Sequence, residues 1–360
     1  MPLSVPLVWS DDCLLHDPGG EVFVGVRMPG TEVAERALLI KRALAGAGAP
    51  LVAAVEHDDA AVLAVHAGGL VRFLAGAWEA WETAGLAADP GQDRVVPYVF
   101  PLSGVTSGRS PFEPAAVWAR TGFYAYDTMT LVGPGTWRAA RAAADVVLTA
   151  ADLALDGAPS TVAYACCRPP GHHVTRSCFG GSCYLNNAAI AAQRLRDGGV
   201  RRVAVLDVDA HHGNGTQEIF WERADVLTAS AHVDPAAGWF PHFLGLADEI
   251  GGGAGRGANV NVPLPPGAGD EEWLAAVAGL GRAVEQHGSE GLVVALGVDA
   301  AGGDPESPLD VTEAGFREAG RLLGRLGLPT VVVQEGGYDL AAIGGLVLAT
   351  LEGIEEGKGQ

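Results

Sequence analysis

The sequence predicts a doubly wound α/β fold, with a mostly parallel central sheet flanked by helices on both faces. Three observations carry this. From Thr136 onward, short apolar runs alternate with segments of helical periodicity, the order produced when helices wind a parallel sheet. The runs are apolar on both parities, as strands covered on both faces require. Four of them end in polar, glycine-rich clusters, where open parallel sheets place their ligand crevice.

Taken in order, MPLSVPLVWSDDC has no basic n-region, and Pro2 and Pro6 break its apolar run, so no signal peptide is read. Helical periodicity covers Thr31 to Gly46 and Asp58 to Trp81, where Leu63, His66, Leu70, Phe73 and Leu74 recur at three and four. The rest of the first third reads as irregular. A stretch dense in Pro, Gly and Ser fills 88–114, and a functional loop at about 88–121 is expected from its length. Helices follow at 136–155, 185–197, 270–287, 311–326 and 340–352. Strands are expected at Val162 to Cys167, Val203 to Asp209, Val226 to His232, Val260 to Leu264, Leu292 to Asp299 and Thr330 to Glu335.

Composition narrows the class. The chain has 360 residues, with 43 Asp and Glu against 23 Lys and Arg, a net charge of -20. That excludes the basic faces that nucleic acid and anionic membranes demand. With 48% hydrophobic and 18% charged residues, the chain can bury a sizeable core. No repeat or composition break divides it, so one domain over 1–360 is expected. No stretch of 18 or more apolar residues reads as a membrane span. The five cysteines lack the C-x2-C pairing of a structural zinc site, which fits reduced thiols in the cytoplasm.

The strand-end clusters carry the chemistry: CCRPPGHH at 166–173, LDVDAHHGNG at 206–215, LGVDAAGGDP at 296–305 and VQEGGYDL at 333–340. Asp207, Asp209 and His211 are spaced by two, which on an extended chain projects them to one face. With Asp299 from another strand end, one His and two carboxylates can hold a divalent ion and leave a position open. His172 and His173 follow a Pro-Pro-Gly turn with no apolar periodicity around them, which suits proton transfer beside a metal. Tyr338 follows Gly336 and Gly337 and is a candidate donor to an oxyanion.

These motifs resemble the zinc-dependent deacetylase family of histone deacetylases and acetylpolyamine amidohydrolases, on the arginase-deacetylase fold. The resemblance runs from about Gly30 to the end, through RPPGHHV (168–174), GGSCYLNNAAIAAQRL (180–195), DVDAHHGNGTQEIF (207–220), WFPHFLG (239–245), LGVDAAGGDP and EGGYDL. HHGNGTQ and FPHFLG are more similar to the bacterial class II-like amidohydrolases than to class I. The resemblance implies one zinc ion (Zn2+) per subunit on Asp209, His211 and Asp299. It implies His173 as general base and acid, His172 as its electrostatic partner oriented by Asp207, Asn214 behind His173, and Tyr338 as oxyanion donor. It also implies potassium (K+) held by Asp207 and backbone oxygens of Asp209, His211, Ser230 and Ala231. A two-manganese hydrolase is disfavoured, because Gly213 stands where the further carboxylate would be.

For substrate recognition the resemblance points to Phe240, Gly181 and Gly337. Ser182 replaces a second aromatic wall and thins the slot. Trp118 stands where bacterial acetylpolyamine amidohydrolases place an acidic recognition residue, and Glu306 where a polyamine-directed class IIb enzyme has a gatekeeper glutamate. The expected activity is removal of an acetyl group from a cationic small amine such as an N-acetylpolyamine, by a homodimer. The alternatives are a protein acetyl-lysine deacetylase and a non-catalytic module that binds acetylated ligands; the complete set of zinc ligands, histidines and Tyr338 argues against the latter.

Overall fold

The computed structural model describes residues 2–89 and 91–358; Met1, Gly359 and Gln360 of the expected domain, and Pro90 of the expected loop, lie outside the described residues. The core is an eight-stranded sheet, parallel throughout. Its strands are β1 (Leu7–Trp9), β4 (Leu51–Ala53), β5 (Val162–Ala165), β6 (Val203–Asp207), β7 (Val226–Val233), β8 (Asn259–Leu264), β9 (Gly291–Leu296) and β10 (Thr330–Gln334). The spatial order is β4-β1-β5-β10-β9-β6-β7-β8. A separate antiparallel hairpin joins β2 (Glu21–Phe23) to β3 (Val26–Met28).

The sheet's faces carry separate apolar layers. On one side α2 (Ala60–Val65), α3 (Gly68–Thr83), α4 (Val117–Tyr124), α5 (Thr136–Asp156), α6 (Asn187–Asp197) and α7 (Asn214–Phe220) pack on Val205, Val293 and Val331. On the other, α1 (Ala34–Gly46), α8 (Asp270–His287), α9 (Glu313–Gly324) and α10 (Ile343–Lys358) pack on Leu206, Val294 and Val332. Sequence neighbours in one strand thus serve opposite layers, which is why the runs are apolar on both parities.

The structure corrects the reading of the first third. β1 is a fully buried interior strand and β4 an edge strand. Each is only three residues long, too short to show a period. The helix expected over 58–81 is two: His66 and Ala67 adopt extended dihedrals between α2 and α3. His66 there accepts from Asn186 N–H and pairs through Nδ1 with the Thr175 carbonyl, both in loops beside the site. α4 begins inside the expected loop, at Val117.

Four of the expected strands, β5, β6, β9 and β10, end earlier than the sequence suggests, and the difference falls on the site. β6 stops at Asp207 and β9 at Leu296. Past those points the chain leaves the ladder and turns, so the chemistry-bearing residues sit on turns at the sheet's rim.

Candidate active site

β5, β10, β9 and β6 are contiguous in the sheet, so their four polar clusters meet at one rim. Asp209, His211 and Asp299 each offer a ligand atom there, all within 4.8 Å of one another. The two-residue spacing does not act through an extended strand, as the sequence reading supposed. Asp209 lies beyond β6, where its N–H donates to Asp207 Oδ1 at 3.2 Å, and His211 N–H donates to Asp209 Oδ1 at 2.8 Å. Carboxylates thus fold the turn and aim it together.

His211 Nδ1 lies 3.2 Å from Asp209 Oδ1 and 3.1 Å from Asp299 Oδ2. The remaining oxygens are held by main chain: Gly336 N–H donates to Asp209 Oδ2 at 2.7 Å, and Ala210 N–H to Asp299 Oδ1 at 2.8 Å. A Cβ at Gly297 would stand 1.9 Å from Asp209 Oδ2, and one at Gly336 would stand 2.2 Å from Asp299 Oδ2. Those two positions therefore leave the carboxylates the space they occupy. Burial, with the charge of Asp209, pushes the Asp299 carboxyl up to about 7. Two buried carboxylates facing one imidazole nitrogen suit a divalent cation, which offsets their repulsion. The donor set fits a metal ion.

The histidine pair stands beside this centre. His172 Nδ1 is 2.9 Å from Asp207 Oδ2, and His173 Nδ1 is 2.6 Å from Asn214 Oδ1. An amide oxygen only accepts, so His173 carries its proton on Nδ1 and presents an unprotonated Nε2. Burial works against the charged form of both rings. The Asp207 and Asp209 carboxylates overcome it at His172, raising its pKa to about 10, whereas at His173 the neighbouring His172 and His211 lower it further, well below the usual value. Glu335 Oε2 accepts from the N–H groups of Gly171 and His172 at 2.7 and 3.1 Å, fixing the turn that carries both rings.

Tyr338 is held by groups that sequence reasoning missed. Asp304 Oδ2 accepts from Tyr338 N–H at 2.8 Å, and Asp304 Oδ1 accepts from Glu306 N–H at 3.0 Å, joining two clusters. Buried Arg36 donates to the carbonyls of Gly337 and Glu335 at 2.5 and 2.6 Å, and its guanidinium lies 4.6 Å from the Tyr338 ring centroid. Burial pushes the Tyr338 phenol well above its ordinary pKa, despite the Arg36 charge. It remains a hydrogen-bond donor at neutral pH. The only signal for Arg36 was a charged residue within an expected helix; Asp304 lay unremarked in GGDP.

A cavity of about 390 Å³ opens onto this group, with His173, His211 and Tyr338 in its lining. Phe240, Gly181, Ser182 and Glu306 also line it, as the sequence reading placed them. Gly337 does not: with φ 122° it lies under Tyr338, its carbonyl turned to Arg36. Trp118 does not either, because α4 carries it to a different surface depression beside Glu79 and Thr83. Nor does any described residue of 88–121 line the cavity; Glu21, Phe23 and Met28 of the hairpin do. Ser230 pairs with Asp207 across β6 and β7, and Ala231 follows it, so these two lie next to the strand end from which the Asp209–His211 turn leaves.

This arrangement, buried acids around one imidazole beside a histidine pair and a tyrosine, defines a metal-dependent amide hydrolase. Residues 31–354 match the histone deacetylase domain, and the chain belongs to that family. It is 40% identical to the acetylpolyamine amidohydrolase of Mycoplana ramosa over 349 residues, 97% of this chain and 99% of that one. It is 41% identical to acetylpolyamine amidohydrolase 1 of Pseudomonas aeruginosa, covering 97% and 98% of the two chains. The crystal structure of an acetylpolyamine aminohydrolase from Burkholderia pseudomallei superposes with a TM-score of 0.91 at 38% identity, over 98% of this chain and 99% of that one. Among the described residues no helix is long and apolar enough to cross a membrane, and all five cysteines are free.

Proposed function

We propose that the chain is a zinc-dependent hydrolase that removes an acetyl group from a cationic small amine of the N-acetylpolyamine kind. The carrying observation is the cavity: His173, His211 and Tyr338 meet Glu21 and Glu306 in one lining that contains no lysine or arginine among the described residues. Glu306 is placed by its own N–H on Asp304 and by Thr31 Oγ1, which donates to Glu306 Oε1 at 2.9 Å. Burial, together with the charges of Glu306 and Asp127, pushes Glu21 up to about 7. An ammonium group would relieve that repulsion, in surroundings where low-dielectric walls sharpen the attraction. The relatives named acetylpolyamine amidohydrolases, matched over nearly their full length, support this substrate class.

Asp209, His211 and Asp299 would hold zinc. Bound zinc supplies Lewis acidity, polarising the amide oxygen and lowering the pKa of water. His173 Nε2 takes a proton from the attacking water and delivers it to the leaving amine nitrogen. His172, held by Asp207, supplies a fixed charge next to it, while Asn214 fixes its tautomer. The Tyr338 phenol donates to the developing oxyanion. Potassium would lie behind the metal turn, on Asp207 and the backbone oxygens of Asp209, His211, Ser230 and Ala231; the pairing of Asp207 with Ser230 supports this. Free thiols support a cytoplasmic setting.

Glu306→Leu is expected to lower kcat/KM for acetylputrescine and acetylspermidine about five- to tenfold relative to an acetyl-lysine peptide, the scale of one partly solvated charge-assisted hydrogen bond. An unchanged ratio would remove Glu306 from recognition. A peptide preference in the wild type would favour the protein-deacetylase reading.

The same reading includes a homodimer. Tyr98, Leu102, Val105 and Phe112 of the long loop are between 65% and 85% exposed, and Arg109 is the sole charged residue across 95–112. An apolar, nearly uncharged patch on a chain of net charge -20 is where two copies can meet with least repulsion. Light scattering should give twice the chain mass, and Phe112→Asp with Leu102→Asp should halve it; a wild type at the mass of one chain would end the dimer reading.

A further inference from the structure

Tyr126, which follows α4, touches the histidine turn and one cavity wall at once, and it belongs to none of the motifs described above. Its phenol donates to the His173 carbonyl at 3.0 Å. Its ring stacks on Phe240 at 6.4 Å between centroids and 17° between planes. Phe240 in turn meets the His173 ring edge to face at 4.8 Å and 85°. The Tyr126 main chain is fixed as well, its N–H donating to the Phe179 carbonyl at 3.2 Å. The neighbouring Asp127 accepts from Gly181 N–H at 2.6 Å. Gly180 makes room for the ring: a Cβ there would lie 2.4 Å from Tyr126 Cζ. Burial pushes the phenol well above its ordinary pKa, so it remains a donor.

We infer that Tyr126 is the positioning residue for this site, holding His173 by its carbonyl and Phe240 by its ring so that the proton-transfer nitrogen and the apolar wall keep a fixed relation. The inference rests on the proposed hydrolase reading for its kinetic consequence, and on geometry alone for its structural one. His173 has side-chain support from Asn214, which fixes the tautomer, and Glu335 holds the turn before it through Gly171 and His172. The Tyr126 hydroxyl adds a restraint at the His173 carbonyl itself, because a shift of that main chain, which carries the ring with it, would break the hydrogen bond. Ser182, on the cavity wall, offers no ring against which Phe240 could pack. Small displacements of a proton-transfer group reduce rate more than they reduce binding.

Two variants separate the roles. Tyr126→Phe keeps the ring and deletes the hydroxyl; it is expected to lower kcat about three- to tenfold with KM within about twofold, the scale of one neutral hydrogen bond. Tyr126→Leu also removes the ring and is expected to raise KM several-fold, with Phe restoring KM but not kcat. Histidine-labelled NMR of the metal-loaded protein gives a readout without turnover: the His173 ring signals should shift in Tyr126→Phe while those of His287, whose ring bonds to Ser289 Oγ and the Ala224 carbonyl, stay in place. Unmoved His173 signals, or a kcat within twofold of wild type, would overturn the inference, as would a loss of kcat matched by loss of bound metal or folded protein. If the wild type hydrolysed no acylated amine, the hydrolase reading would fall, and the NMR shift would still decide the positioning role.

Discussion

Stripping the metal centre is expected to reduce turnover at least about a thousandfold, and Asp299→Ala should do the same without a chelator. The magnitude follows from the several kcal/mol of charge stabilisation that a Lewis-acidic ion contributes, at about 1.4 kcal/mol per decade of rate. The geometry explains why one carboxylate decides it. Asp299 Oδ1 is engaged by Ala210 N–H, which leaves Oδ2 as its oxygen beside His211 Nδ1, so removing the side chain leaves two of three donors. It also leaves Ala210 N–H buried without its acceptor, so stability must be followed in parallel. The check is zinc content by mass spectrometry alongside kcat/KM, in chelated, zinc-restored and Asp299→Ala protein. Native turnover in protein verified as metal-free would overthrow the zinc reading. Folded Asp299→Ala that retained stoichiometric zinc would remove Asp299 from the ligand set.

The residues that reveal the fold and those that build the site follow different rules in the sequence. Val205, Val293 and Val331 alternate with Leu206, Val294 and Val332 because each strand feeds two apolar layers, and that local pattern is visible without coordinates. Asp209, His211, Asp299, His173 and Tyr338 stand out because each interrupts such a run. β1 and β4 carry no comparable signal, since three residues span no period and β4 is half-exposed at the sheet edge. The hairpin was equally silent, with Val24 and Gly25 both at positive φ in its turn, a conformation that valine rarely adopts. The cavity wall it forms could not be anticipated.

Supporting side chains were harder still. Arg36 reaches Gly337 across 301 residues, and Glu335 reaches Gly171 across 164. Local periodicity contains nothing about partners so distant. The two misplaced recognition residues have the same origin. Trp118 has the chain position of a recognition residue, but α4 turns it to another face, and Gly337 presents its carbonyl to Arg36 and not a surface to the cavity. Asp209, His211 and Asp299 do converge, but not through the strand that their spacing suggests, because turn-forming carboxylates replace it.

His173→Ala is expected to lower kcat by about 10²- to 10⁴-fold, the range for a positioned proton-transfer group, with zinc content unchanged and KM altered little. The two adjacent histidines are chemically unlike. His172 Nδ1 faces a carboxylate, which favours the protonated ring; His173 Nδ1 faces an amide oxygen, which accepts one hydrogen bond and carries no charge. A base must begin unprotonated, so His173 fits that role, and the charge at His172 further discourages protonation of its neighbour. After accepting a proton, His173 becomes an imidazolium beside His172, 4.0 Å between ring centroids, an unfavourable pairing that favours passing the proton to the leaving nitrogen. His172→Ala should therefore reduce kcat less than His173→Ala, since it removes an electrostatic influence and leaves the acceptor in place. The measurement is kcat for both variants on one acetylated diamine, with circular dichroism and zinc content as controls. His173→Ala retaining more than about a tenth of wild-type kcat while His172→Ala fell by 10³ would exchange the two roles, and with them the part assigned to Asn214.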